Sequence, residues 1–262
     1  MDPWDAVRRI VADKRSGAAE LAVRTAAALA ELDSDRNILR AARRVLKVHG
    51  AMASLWRVFD AALTGSRALA RMRDELESES DAVASAAAGW ALPRRNAMVV
   101  THSSSSAVLA TLLRAGAARV TRVECTTSLP GGEGRALAAR LRRAGFAARA
   151  IPDAAIARAC AEADVVLVGA DAITPQAIVN KCGTMPLVLT ARECGAACYA
   201  LAGASKMAPA WIWNPRRAIA YDATPIELLD ALVCERGPMR AAGVRRAANR
   251  VTLDTRLEAI AR

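Results

Sequence analysis

Residues able to do acid–base or phosphate chemistry gather in two stretches of this 262-residue chain. The richer one runs Gly169-Ala170-Asp171-Ala172-Ile173-Thr174-Pro175-Gln176-Ala177-Ile178-Val179-Asn180-Lys181-Cys182-Gly183-Thr184 and begins where the apolar run Val165–Val168 ends. A carboxylate at a strand end, Asn180 and Lys181 nine and ten residues later, and Gly183-Thr184 leading into a helix bring together acid/base capacity, charge and amide donors. The second stretch, Thr101-His102-Ser103-Ser104-Ser105-Ser106, sits between a buried strand and the start of a helix. Free backbone N–H groups, hydroxyls and the positive end of a helix dipole make an anion site there, with phosphate the natural occupant. Serines are also ordinary helix caps, and from this stretch alone the two readings stand level.

The elements that must position these loops change character along the chain. Residues 3–90 read as helices only. Pro3 behind Asp2 opens a helix whose apolar residues Val7, Ile10 and Val11 recur at helical spacing up to Arg15. A second helix covers Ala18 to Leu32, Asp33-Ser34-Asp35 starts a third, and Gly50 and Gly65 are stops. The acidic run Glu75 to Asp81 is expected to be a solvated face. After Leu92-Pro93-Arg94-Arg95 the pattern becomes short valine-rich runs, each followed by a loop and an amphipathic helix. The runs are Met98–Val100, Val120–Val123, Ala148–Ile151, Val165–Val168 and Cys198–Leu201. Such alternation predicts an α/β fold with a parallel sheet covered on both faces, ligands lying at the carboxyl ends of its strands. Two domains are expected, a helical one over 1–92 and an α/β one over 93–262. The pair Trp211 and Trp213 reads as an apolar seam at a domain or subunit contact, ahead of a nucleobase shelf.

Composition narrows the function classes. Hydrophobic residues at 53% and charged residues at 24% exclude a disordered chain, and no apolar stretch is long enough to span a membrane. The six cysteines lack paired spacings and only two histidines accompany them, so neither a disulfide scaffold nor a zinc site is expected. A cytoplasmic location follows from the absence of a targeting signal. The net charge of +11 comes from scattered arginines with few aromatics for base stacking, so anionic small molecules are expected as partners before nucleic acid.

Taken in order, several of these pieces resemble one family. It joins the regulatory α, β and δ subunits of eukaryotic translation initiation factor 2B to methylthioribose-1-phosphate isomerase and ribose-1,5-bisphosphate isomerase. The resemblance rests on Thr101-His102 after a strand, Gly169-Ala170-Asp171 with Asn180-Lys181-Cys182-Gly183-Thr184, and Tyr221-Asp222-Ala223-Thr224-Pro225 followed by Glu235-Arg236-Gly237. Arg15-Ser16-Gly17-Ala18 and Met52-Ala53-Ser54-Leu55 are similar to family features too. It implies a helical domain joined to a Rossmann-like domain with a mostly parallel sheet, a ligand held between them and a homodimer formed through the C-terminal domain. The family's isomerases open a ribose 1-phosphate and move its carbonyl from C1 to C2, using a cysteine after the Thr-His pair and the aspartate that Asp171 matches.

Two departures shape the functional expectation. Ser103 stands where the isomerase cysteine would be, and an alcohol cannot exchange protons near neutrality as a tuned thiol can. In Glu124-Cys125-Thr126-Thr127-Ser128-Leu129-Pro130, the arginine that the isomerases carry just before proline is absent. Cys125 reads as a buried structural cysteine ahead of a displaced thiol. The expectation is therefore an initiation factor 2B-like protein that binds a phosphorylated sugar or nucleotide without turnover. The alternative is a divergent aldose–ketose isomerase using Asp171 and Ser103. Arg15, Thr101, His102, Ser104, Asn180 and Lys181 are the expected ligand contacts, His102 orienting its loop; Asp222 and Glu235 read equally well as helix-start and domain contacts. No metal or cofactor is expected.

Overall fold

The computed structural model describes residues 2–92, 96–214 and 220–261. Five helices come first: α1 (Pro3–Ala12), α2 (Ala18–Leu29), α3 (Asp35–His49), α4 (Ala53–Thr64) and α5 (Ser66–Ala88). Local chemistry sets their ends. Asp2 caps α1 by accepting the Trp4 N–H at 3.0 Å. Helix α1 stops at Ala12, short of Arg15, because the Asp13 carboxylate accepts the N–H groups of Arg15 and Ser16, both at 2.9 Å, and closes a turn. Ser34 caps α3, while Gly50 and Gly65 end α3 and α4 where the sequence places the stops.

Leu21, Leu29, Val45, Leu55 and Phe59 pack the inner faces of these helices into one core. That core also takes Ala172, Val179, Ala208, Ile212 and Leu257 from the second half of the chain. Trp211 meets Trp56 edge to face at 5.3 Å, and Trp213 packs half-buried against the same core, so the two tryptophans form a seam within the protein. Pro215, next to them, lies outside the described residues. Helix α5 serves both halves: Leu69, Met72 and Leu76 face the helical core, whereas Val83 and Ala87 pack under the sheet. The composition change at Leu92–Arg95 falls largely on residues 93–95, also outside the described residues.

The second half runs β1 (Ala97–Thr101), α6 (Ser106–Ala115), β2 (Val120–Thr126), α7 (Glu133–Arg143), β3 (Ala148–Ile151), α8 (Ile156–Ala161), β4 (Val165–Val168), β5 (Ala172–Ile173), β6 (Ala177–Lys181), α9 (Thr184–Glu193), β7 (Ala197–Leu201), β8 (Tyr221–Pro225), β9 (Ala231–Cys234), β10 (Gly237–Met239), α10 (Ala241–Asn249) and α11 (Thr255–Ala261). The main sheet has the order β10-β9-β7-β4-β1-β2-β3, parallel except for β10. Alternation buries both faces. Val99, Val123 and Leu167 meet α6 and α7, while Met98, Val100, Val166 and Val168 meet the α8–α9 side. Counting parallel strands only, the spatial order is third, second, first, fourth, fifth, sixth, which is the Rossmann order, and the direction of winding reverses between β1 and β4.

One segment departs from its expected form. Gly169–Thr184 is not a plain loop: β5 and β6 make a hairpin that β8 extends into a second, antiparallel sheet. Thr174 Oγ1 accepts the N–H groups of Gln176 and Ala177 and shapes the turn around Pro175. Strand β5 is two residues long, and β6 pairs with β8 some forty positions away, so no local periodicity announces either. No helix among the described residues is long and apolar enough to cross a membrane.

Candidate functional site

At the winding reversal the loops after β1 and β4 open into a cleft of about 540 Å³, a volume suited to a small ligand. Its opposite wall comes from the helical half, residues 13–20 together with Val48, His49 and Met52. Close packing brings the loops together. A Cβ on Gly169 would lie 2.7 Å from Ser105 Cβ, and one on Gly183, whose φ is +107°, would lie 2.7 Å from the His102 ring. Only glycine fits either place.

The β1 loop is tied down by its own polar groups. His102 is buried, with Nδ1 2.6 Å from Thr126 Oγ1 and Nε2 2.9 Å from the Cys182 carbonyl oxygen. Burial holds its pKa below the ordinary histidine value, so the ring is neutral near pH 7 and both nitrogens are engaged. Ser103 takes φ +64°, and its N–H donates to Ser128 Oγ at 2.7 Å. Ser128 is held in turn by the Asp153 carboxylate, which also accepts the Leu129 N–H at 2.8 Å. Ser105 caps α6, accepting the Val108 N–H at 3.4 Å. Ser103 and Ser104 line the cleft beside the open first-turn N–H groups of α6. Thr101 does not line it: the side chain is buried, and its Oγ1 has no partner among the described residues.

The β4 and β7 loops hold the charges. Asp171 lies at the cleft floor, where enclosure by protein pushes its carboxyl up from the ordinary value; the Lys206 charge opposes that rise and the Glu133 charge adds to it. Lys206, only 7% exposed as a whole residue, lines the same cleft. Lys181 Nζ donates to Glu133 Oε1 at 2.9 Å, and the other Glu133 oxygen is buried without a partner. Asn180 lines the cleft, but its Nδ2 donates to Thr184 Oγ1 at 3.0 Å. Burial also pushes the Tyr221 phenol up, and the charges of Asp171 and Glu133 add to the rise. Asp222 accepts the N–H groups of Gly183 and Met185 at the start of α9, and Glu235 accepts the Ala204 N–H at 3.0 Å.

Arg15 reaches the cleft from the helical wall with Lys14, on the turn that Asp13 fixes. Helix α2 starts at this wall behind Gly17, without a side-chain cap. Of the residues singled out in the sequence, Arg15, His102, Ser103, Ser104, Asp171, Asn180 and Lys181 thus meet around one cavity. Sequence reasoning missed Lys206, Glu133 and Arg140, which line it as well. Gly203-Ala204-Ser205-Lys206 directly follows the strand at Leu201, so the strand-end rule could have singled out Lys206. Nothing comparable marks Glu133 or Arg140, which reach the cleft from α7. Cys125 is fully buried, and its thiol is pushed up to about 12, so it supplies no thiolate. Leu129, in the place of the absent arginine, is exposed.

A Rossmann-order sheet whose winding reversal faces a helical wall across a charged cleft defines a two-part α/β protein of the doubly wound class. The chain belongs to the Initiation factor 2 subunit family, whose sequence model matches residues 5–218. It is 32% identical over 220 residues to a Pyrococcus horikoshii protein described as a putative translation initiation factor eIF-2B subunit 2-like, covering 78% of each chain. Over 147 residues it is 34% identical to ribose 1,5-bisphosphate isomerase of Archaeoglobus fulgidus, covering 53% of this chain and 47% of that one. The crystal structure of translation initiation factor eIF-2B from Pyrococcus horikoshii superposes with a TM-score of 0.80 at 26% identity, over 90% of this chain and 96% of the other. The family resemblance and the helical-then-α/β fold read from the sequence are borne out.

Proposed function

We propose that this protein binds a phosphorylated sugar in the cleft between its helical part (1–92) and its Rossmann-like part (93–262), and does so without turning it over. The observation that carries this reading is Lys206, largely buried as a residue and lining the cleft with its charge acting on Asp171. An anionic ligand group in the cleft gains charge-assisted hydrogen bonds from such a lysine. Lys181, Arg15 and the start of α6 add positive potential, and the unpartnered Glu133 oxygen suits a sugar hydroxyl. A nucleotide meets the same phosphate chemistry, but the cleft offers few aromatic faces for a base. Ser103, in place of a tunable thiol, argues against turnover. Pairing with a second copy through the C-terminal domain, as the family resemblance implies, goes with this reading and is checked by sedimentation.

Calorimetry with ribose 1-phosphate and ribose 1,5-bisphosphate, followed by phosphorus NMR at stoichiometric protein, tests the reading. Micromolar binding with unchanged spectra is expected. Absence of binding by any sugar phosphate or nucleotide removes it. One observation favours divergent isomerisation as the second reading: Asp171 lines the cleft with its carboxyl pushed up by burial, the direction a proton-transferring carboxyl needs. New resonances in the same spectra, abolished in D171N, would decide for it.

A further inference from the structure

Glu79 lies in an acidic run expected to face solvent, and its neighbours Glu75, Glu77 and Asp81 do so. Glu79 does not. Its Oε1 accepts the Ser205 N–H at 2.9 Å and its Oε2 the Ser205 hydroxyl at 2.8 Å, so the carboxylate grips the residue next to Lys206. A Cβ on Gly203 would lie 1.8 Å from Glu79 Cδ, so the absence of a side chain at 203 makes room for the carboxylate. Glu235 holds the adjoining Ala204 N–H at 3.0 Å. On the same helix, Ser80 Oγ lies 2.9 Å from Ser106 Oγ, the first residue of α6.

We infer that Glu79 is a positioning residue of the cleft, fixing the Gly203–Lys206 turn so that the Lys206 ammonium stays at the floor beside Asp171. Its place on α5 gives the contact a wider consequence. Glu79 falls between Leu76, packed in the helical core, and Val83, packed under the sheet. Through consecutive residues one rigid helix therefore grips the turn after β7 and the helix after β1, and ties both to the helical wall that carries Arg15. A movement of that wall relative to the sheet is transmitted to Lys206 through Glu79. This rests on the phosphate-binding reading for its effect on affinity, but not for the existence of the grip.

The experiment breaks the grip from both sides, in E79A and in G203A. Gly203 has φ −73°, which alanine adopts freely, so in G203A the new methyl group expels the carboxylate without straining the backbone. Two readouts need no ligand: amide exchange at Ser205 and the rate of reductive methylation at Lys206, both followed by peptide mass spectrometry. Each is expected to rise about tenfold in both variants, since the lost bonds involve a charged acceptor. Inorganic phosphate affinity, measured by calorimetry, should fall about tenfold in both, with E79Q retaining most of it and K206M suffering no further loss when E79A is added. Wild-type exchange and methylation rates in both variants overturn the inference, as does an E79A affinity loss of equal size in the K206M background. If the wild-type protein binds neither inorganic phosphate nor any sugar phosphate or nucleotide, the cleft reading fails alone, and the exchange and methylation rates still decide the role of Glu79.

Discussion

His102 and Asp171 stand just beyond the ends of adjacent parallel strands, yet their surroundings are opposite. The β1 loop is fully tied to its neighbours: both His102 nitrogens are engaged by Thr126 and Cys182, the Ser103 N–H is bonded to Ser128, and Ser105 is bound into its own helix. In the β4 and β7 loops, Asp171 and Lys206 line the cleft as opposite charges largely enclosed by protein. A satisfied buried network specifies shape, while charges lining an open cleft are available to a ligand. The first loop is therefore a template for the site and the second its chemical face.

Removing His102 should produce the largest effect and should act on folding. H102A leaves Thr126 Oγ1 and the Cys182 carbonyl without their buried partner and opens a cavity, at a cost of about 2–4 kcal/mol. Urea denaturation monitored by circular dichroism measures it. A smaller loss than phosphate binding itself suffers would break the template side of the comparison. K206M should behave in the opposite way. Sugar-phosphate affinity is expected to fall about 10- to 100-fold by calorimetry, with the unfolding midpoint little changed, because a cleft charge rather than a bonded buried network is removed.

Asp171 sharpens the same contrast through pH. Burial raises its carboxyl in the folded state, so between the ordinary value of about 4 and that raised value the folded chain binds more protons than the unfolded one. Its contribution to stability is full below about 4 and is lost as pH rises through the raised value. D171N should therefore melt higher than the wild type at pH 8, with the difference vanishing near pH 4, in thermal scans across that range. A D171N that melts lower at pH 8 would mean that the charged carboxylate is satisfied in the fold.

Five strands of the parallel sheet were legible because each is a short apolar run followed by a loop and a helix or turn, whereas β9, followed by β10, was not. Asp171 and Lys181 were legible because a strand end marks the first and the family's Asn-Lys pair the second. The β5–β6 hairpin was not, since two residues carry no period and its partner β8 lies far along the chain. Glu133 was hidden for another reason. It reaches the cleft from the first turn of α7, where an acidic residue is ordinary helix chemistry, and only the tertiary approach of Lys181 gives it a role. Glu79 was misread outright, because an acidic run gives no sign that one of its members turns inward to a distant serine.

Restoring a thiol to the β1 loop is the finest test of the contrast and has the smallest expected effect. Ser103 lies half-buried at the cleft, next to the first-turn N–H groups of α6. A cysteine there should be held below the ordinary thiol range by the helix dipole and neighbouring cations. Among the six native cysteines, burial pushes Cys125 and Cys198 each up to about 12 and Cys160 to about 11 and also raises Cys234, while Cys182 and Cys194 are exposed. Serine at 182 and 194 therefore removes the competing reactive thiols. In that background S103C should react with iodoacetamide at pH 7 faster than free cysteine. A loop that is only a template would give reactivity rising above pH 8 like an unperturbed thiol. If the loop also keeps the geometry for proton exchange, slow conversion of ribose 1,5-bisphosphate should appear in S103C and disappear when D171N is added, since thiol and carboxylate would have to act on the same bound sugar.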